Sequence, residues 1–211
     1  VVDTLPSDVS TWIADWQPED DALSGARARA AEIGVPAIDP AAGAVLRLLA
    51  ATAGAKAAVE LGTGAGVSTL WLLRGLVPEG VLTTVDSDGE HQRLAKASLA
   101  DAGVAGGRVR LIQGRALEVL PRLSEAAYDL VFCDAARSEN TDYLAAALNL
   151  LRPGGIVVFA GALAGGKVAE PTARDAETVA MRELAKLVRD EERLTSALIP
   201  VGSGLLVGAL A

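Results

Sequence analysis

Ala57-Ala58-Val59-Glu60-Leu61-Gly62-Thr63-Gly64-Ala65-Gly66-Val67-Ser68 is the stretch from which the rest of the chain can be read. An apolar run enters, three glycines follow at alternate positions, and a helical pattern leaves from Ser68 to Leu76. That order is strand, tight turn, helix start. Glycine serves where a chain turns sharply or lets a ligand approach the backbone. A helix start adds unpaired N–H groups and partial positive charge at the same place. Such a corner suits a nucleotide or an anionic group. A glycine turn that only lets the helix pack closely on the strand is the plainer alternative. The dinucleotide fingerprint G-x-G-x-x-G would need its third glycine at position 67, which is Val67.

Outward from this corner, helix and strand patterns alternate. Strands are expected at about 57–61, 81–86, 109–113, 128–133 and 155–160, and helices at about 67–76, 89–102, 116–123 and 142–151. Runs such as Val81-Leu82-Thr83-Thr84-Val85 and Ile156-Val157-Val158-Phe159 are almost continuously apolar, as in strands buried on both faces of a parallel sheet. Alternation of this kind predicts right-handed crossovers in a doubly wound, Rossmann-like α/β layer. A long helix is expected from about Arg174 to Asp190. Two apolar runs then follow, Leu194 to Val201 and Leu205 to Leu210, joined by Gly202-Ser203-Gly204. No helix separates them, so they predict a closing antiparallel hairpin and a seven-stranded, mostly parallel sheet.

Upstream, residues 1–34 read as polar and helical. Ser7 or Asp8 is a candidate cap for a helix carrying Trp12, Ile13 and Trp16. Pro18, Glu19, Asp20 and Asp21 resemble the first turn of a second helix that stops at Gly34. Trp12 and Trp16 share a helical face, which suggests packing, with a substrate wall or a dimer contact as alternatives. Asp39-Pro40 starts a third helix that ends near Gly54. Residues 1–54 are read as the helical part of one domain spanning 1–211.

Composition narrows the function classes. Half the residues, 51%, are hydrophobic and 22% are charged, as in an ordinary soluble protein. A net charge of −8 without a basic run argues against a nucleic-acid partner. Cys133 is the sole cysteine and sits in an apolar run, so neither an intrachain disulfide nor a Cys-His zinc cluster is expected. No basic segment leads into an apolar stretch at the amino end, and no span of about 20 uncharged apolar residues occurs. No membrane partner is expected, and a cytoplasmic location is.

In an open α/β sheet, ligands bind at the carboxyl ends of the strands, near the point where strand order reverses. Ser68 opens the first helix there, either as an ordinary cap or as a donor to a ligand carboxylate. Asp86 ends the second strand and can accept ribose hydroxyl protons, whereas Asp88 suits the start of the next helix. Gly114, Arg115 and Ala116 follow the third strand, where an adenine would lie. Asp134 ends the fourth, as a functional carboxylate or as a turn residue. His91 lies in a polar helix and reads as a solvated surface group.

These residues bring a family into view. The Glu60-x-Gly62-x-Gly64-x-Gly66 arrangement resembles the first motif of class I S-adenosylmethionine-dependent methyltransferases. From about Pro36 onward the chain resembles the bacterial O-methyltransferases related to the catechol and caffeoyl-CoA enzymes. Val59-Glu60-Leu61-Gly62-Thr63-Gly64 with Ser68-Thr69-Leu70, Asp134 with Tyr143-Leu144, Leu150-Leu151-Arg152-Pro153-Gly154-Gly155 and the tail from Leu198 carry the likeness. It implies an S-adenosylmethionine pocket lined by Glu60, Gly62, Thr63, Gly64, Ser68, Asp86, Gly114, Arg115, Ala116 and Asp134, with Asp134 on the donor's ammonium group. It also implies a small-molecule acceptor and a homodimer.

The chain departs from the family at three places. The family's metal-binding Asp-Asn pair after the fifth strand falls on Ala160-Gly161, which offer no side-chain oxygen. Its catalytic lysine is Arg137, which stays protonated and cannot act as a base. Its acid near the adenine amine is Arg115. Asp134 and Arg137 are therefore the catalytic candidates, and no family-type divalent metal is expected. The expected function is methyl transfer from S-adenosylmethionine to a small molecule. The alternatives are a non-catalytic S-adenosylmethionine-binding protein and a nicotinamide-dependent dehydrogenase. The acceptor pocket is expected over the fourth and fifth strands, roofed by the amino-terminal helices and a mobile segment at 161–170.

Overall fold

The computed structural model describes residues 7–211; residues 1–6, the start of the expected helical stretch, lie outside the described residues. Three helices come first: α1 (Ser7–Trp16), α2 (Asp21–Glu32) and α3 (Pro40–Thr52). The expected alternation follows, with β1 (Ala57–Leu61), α4 (Val67–Gly75), β2 (Val81–Asp86), α5 (Gly89–Asp101), β3 (Val109–Gln113), α6 (Ala116–Val119), β4 (Tyr128–Cys133), α7 (Asn140–Leu150) and β5 (Leu151–Ala160). The chain then runs through α8 (Ala176–Asp190), β6 (Leu194–Ile199) and β7 (Leu205–Leu210).

Seven strands form one sheet in the order β3-β2-β1-β4-β5-β7-β6. The pairs among the first five are parallel, while β7 runs antiparallel to both β5 and β6. Successive strand residues alternate between two cores. Val59, Leu61, Val131, Cys133, Val157 and Phe159 pack against α7 and α8, with Tyr143, Leu144, Met181 and Leu184. Ala58, Leu130, Phe132 and Val158 face the other way, toward Leu23, Leu46, Trp71 and Leu72. Burial on both faces is the reason these strands read as continuous apolar runs. Cys133 is a buried free thiol, as its surroundings suggest.

Helix boundaries follow the caps. Asp39 accepts from the Ala42 N–H at 2.9 Å, with Pro40 at the first position, as expected. The second helix begins at Asp21 rather than at Pro18, because Asp20 is the cap and accepts from the Leu23 N–H. Glu19, left outside, pairs with Arg27 and accepts from the Trp71 indole N–H. Asp175 caps α8 through Thr178, which moves its start from 174 to 176. The helix expected over 116–123 is only four residues long and tightens into a 3₁₀ turn at Leu120–Arg122. Pro121 has no N–H with which to continue it.

β5 starts four residues earlier than expected. Leu151 pairs with Tyr128 across a register shift, and Arg152 ion-pairs with the buried Asp129. Asp129 also accepts from the Lys56 and Ala57 N–H groups, joining three segments at the amino ends of the central strands. Trp12 and Trp16 do not pack into the core. They lean on each other at 5.3 Å between ring centroids and are 63% and 72% exposed. The segment at 161–170 is tied down. Ala162 and Leu163 donate to Gly204 and Ser203, and Arg182 donates to the carbonyls of Lys167, Val168, Glu170 and Ala173.

Candidate active site

Strand order reverses between β1 and β4, and there the chain turns at Gly62 and Asp134. Asp134 N–H donates to the Leu61 carbonyl, and Gly62 N–H to that of Val85. Gly62 holds φ at +91°, and a Cβ on it would lie 2.2 Å from the Asp134 carbonyl oxygen. Only glycine tolerates both conditions. Gly66, also at φ +91°, is the N-cap of α4 without a side-chain bond. Ser68 is therefore inside the helix and is not its cap.

A cavity of about 390 Å³ opens at this edge. Gly62, Thr63, Gly64, Ser68, Asp86, Gly114, Arg115, Ala116 and Asp134 line it. Val35, Pro36, Ala37 and Ile38, between α2 and α3, cover it, whereas 161–170 is absent from its lining. Two expected site residues stand apart. Glu60 is fully buried behind the glycine corner, and Arg137 is outside the lining. Arg137 donates to Glu177 of α8 at 2.8 Å. Its guanidinium also lies against Gly161, where a Cβ would come within 2.6 Å of it.

The corner's N–H groups are largely spoken for. Asp86 Oδ2 accepts from Thr63 N–H at 3.0 Å and Gly64 N–H at 2.9 Å, and Oδ1 from Asp88 N–H. Asp86, a carboxylate of the chain, thus holds the turn's own N–H groups, whereas the N–H groups at the start of α4, which were expected to face a ligand, are not among those it holds. Asp88 caps α5, as anticipated. His91 is not a solvated surface group. Its Nδ1 lies 3.1 Å from Asp86 Oδ2, and the residue lines the cavity. The signal was available, because a cap at Asp88 puts His91 in the first turn of a helix that starts at the β2 end.

Glu60 faces the α4 side of β1. Its Oε2 accepts from the Thr69 and Thr84 hydroxyls, each at 2.6 Å. Thr84 is in turn 2.7 Å from the Thr63 hydroxyl, which accepts from the Gln92 amide. Oε1 has no hydrogen-bond partner. Burial pushes this carboxyl up to about 7, against the pull of the Ser68, Thr69 and Thr84 hydroxyls, of which Ser68 is near the carboxyl without closing a bond to Oε1. Asp134 is exposed through the cavity mouth, yet protein surrounds its carboxylate from behind. That desolvation raises its pKa, and Arg137 opposes the rise.

Sequence reading missed Glu139 and the part Tyr143 plays. Both line the cavity, and the Tyr143 hydroxyl donates to Glu139 Oε2 at 2.6 Å. Burial and this bond to a carboxylate hold the phenol above its usual range. Arg115 donates to Glu139 Oε1 at 3.0 Å. A divalent cation would find little here. Among the described residues no three His, Cys, Asp or Glu side chains converge. Beside Asp134, Ala160 and Gly161 carry no side-chain oxygen, and the space a side chain on Gly161 would enter is taken by the cationic guanidinium of Arg137. The residues present do not fit an oxygen-ligated metal.

Similarity to known proteins agrees with this geometry. The O-methyltransferase family profile matches residues 24–209. A Mycobacterium tuberculosis protein named as an O-methyltransferase is 54% identical over 188 residues, 89% of this chain and 84% of its own. A Corynebacterium glutamicum structure superposes with a TM-score of 0.91 at 37% identity, covering 97% of this chain and 96% of that one. The O-methyltransferase TomG from Streptomyces achromogenes, solved with S-adenosylmethionine, gives 0.88 at 33% identity, with coverage of 97% and 96%.

Proposed function

The chain belongs to the O-methyltransferase family, which makes it a methyltransferase; from that premise we propose that it methylates an oxygen of a small molecule, using S-adenosylmethionine and no divalent metal. The carrying observation is the cavity at the strand-order reversal, with Asp86 and Asp134 at two of its corners and, among the described residues, no group of three His, Cys, Asp or Glu side chains to hold a metal ion. The whole chain is read as one domain, with α1 to α3 as part of it.

S-Adenosylmethionine supplies a methyl group on a sulfonium carbon, open to in-line displacement by an oxygen nucleophile. The chain's own residues bind and orient. Asp134, ionised, pairs with the ammonium of the methionine end. Ser68 offers its hydroxyl beside it. Asp86 serves the ribose, although it already holds three backbone donors and His91. Oδ1 has one donor, from Asp88, and keeps a lone pair for one ribose hydroxyl, whereas a second hydroxyl, at Oδ2, must displace a partner already there. The His91 side chain is the partner that can swing away. The roof over 35–38 excludes water, and much of the acceleration comes from holding donor and acceptor at near-attack distance. No general base is assigned: Arg137 stays protonated and is committed to Glu177.

Without a metal to lower a hydroxyl's pKa, the acceptor must ionise readily in water. Calorimetry with S-adenosylmethionine and turnover across an acceptor library in excess chelator test this. Activity that vanishes in chelator and returns with Mg²⁺ would sink the metal-free reading. Binding without any product favours the second reading, a non-catalytic S-adenosylmethionine-binding protein, to which the Arg137–Glu177 pairing and the donorless Ala160-Gly161 lend weight. A second copy of the chain is the proposed partner, and exposed Trp12, Trp16 and Leu48 offer it an apolar surface. Light scattering gives the mass that decides this.

A further inference from the structure

We propose that Glu139 is the residue that reads the 6-amino group of the donor's purine, with Arg115 and Tyr143 holding it in place. This rests on the S-adenosylmethionine reading above. The cavity's polar groups divide among its corners. Ser68 and Asp134 stand at the β1 and β4 ends, and Asp86 and His91 at the β2 end. What remains is the part of the lining contributed by the loops after β3 and β4. Ala116, Ala135 and Ala136 supply small apolar surfaces that suit the faces of a planar ring.

The edge of that ring needs a polar partner. An exocyclic amine is a donor, so its partner must accept. Arg115 cannot accept, since a guanidinium has only donors. Glu139 can. Its side chain is 23% exposed, it lines the cavity, and each carboxylate oxygen is held by one donor: Oε1 by Arg115 and Oε2 by Tyr143. Each oxygen keeps a lone pair to spare. The carboxylate is thus aimed before any ligand arrives, from three separate segments: the β3 loop, the turn before α7, and α7 itself. A preorganised acceptor of this kind discriminates, because a ligand lacking the amine covers the carboxylate's spare lone pairs and returns no hydrogen bond to them.

The test compares S-adenosylhomocysteine with its purine-riboside analogue, which has hydrogen in place of the 6-amino group. Calorimetry is run on the intact chain. The wild type is expected to prefer the adenosyl ligand by roughly tenfold or more. Glu139→Ala should bring the two affinities within about twofold by loss of adenosyl binding. Glu139→Gln, whose amide oxygen still accepts, should retain an intermediate preference and also serves if the alanine variant does not fold. Tyr143→Phe should narrow the preference by loosening the carboxylate. If wild type shows no preference, or the Glu139 variants keep the wild-type ratio, the assignment to Glu139 is overturned while donor binding stands. Wild type that binds neither ligand overturns the donor reading and this inference with it.

Discussion

Replacing Glu60 by glutamine should flatten a pH dependence of stability that burial imposes on the wild type. In the unfolded chain this carboxyl titrates near 4.5, and in the fold near 7. Below pH 4.5 it is protonated in both states. Between 4.5 and 7 the unfolded chain releases the proton while the fold retains it, so stability falls as pH rises. Above 7 both states are ionised and the dependence levels off. At ~1.4 kcal/mol per pH unit over that interval, the loss amounts to about 3 kcal/mol. Glutamine keeps an oxygen for Thr69 and Thr84 and places an uncharged nitrogen where Oε1 has no partner. Urea unfolding is followed at pH values from 4.5 to 8 for both proteins, with buried Trp71 as a fluorescent reporter. Other carboxyl groups titrate too, so the informative quantity is the difference between the two proteins. That difference should change by about 3 kcal/mol in favour of the variant as pH rises. Parallel profiles would show that Glu60 ionises normally in the fold, and the burial argument would fail.

Other expectations follow from the same geometry. Gly62→Ala sets a Cβ 2.2 Å from a carbonyl oxygen at φ +91°, and should cost about 3 kcal/mol or more by thermal or urea unfolding. Asp134→Asn should weaken S-adenosylhomocysteine binding by roughly ten- to a hundredfold in calorimetry. Wild-type affinity should begin to fall on acidification at a higher pH than an ordinary carboxylate would give, because the Asp134 pKa is raised, and the Asn variant should lack that fall. Asp129→Ala strands the Lys56 and Ala57 N–H groups and frees Arg152, a loss of about 2–4 kcal/mol measurable by denaturant unfolding.

The order of elements, the two-faced burial of the strands and the closing hairpin follow from local pattern: apolar runs, Asp-Pro and Asp caps, and glycines at the turns. These signals act within a few residues, so they survive being read one after another. The positions of Gly62, Asp86 and Asp134 follow as well, since each ends a recognisable strand at the edge where ligands bind. Tertiary structure alone decided which side chains meet. Thr84 reaches Glu60 across 24 residues because parallel register puts β2 beside β1. Arg115 meets Glu139 across another 24 residues because the β3 and β4 loops open on one cavity. Arg137 turns to Glu177, 40 residues away, because α8 packs beside the β4 exit. No periodicity encodes such meetings. They depend on register, loop path and the space a missing Cβ leaves, and those quantities exist only once the chain has folded.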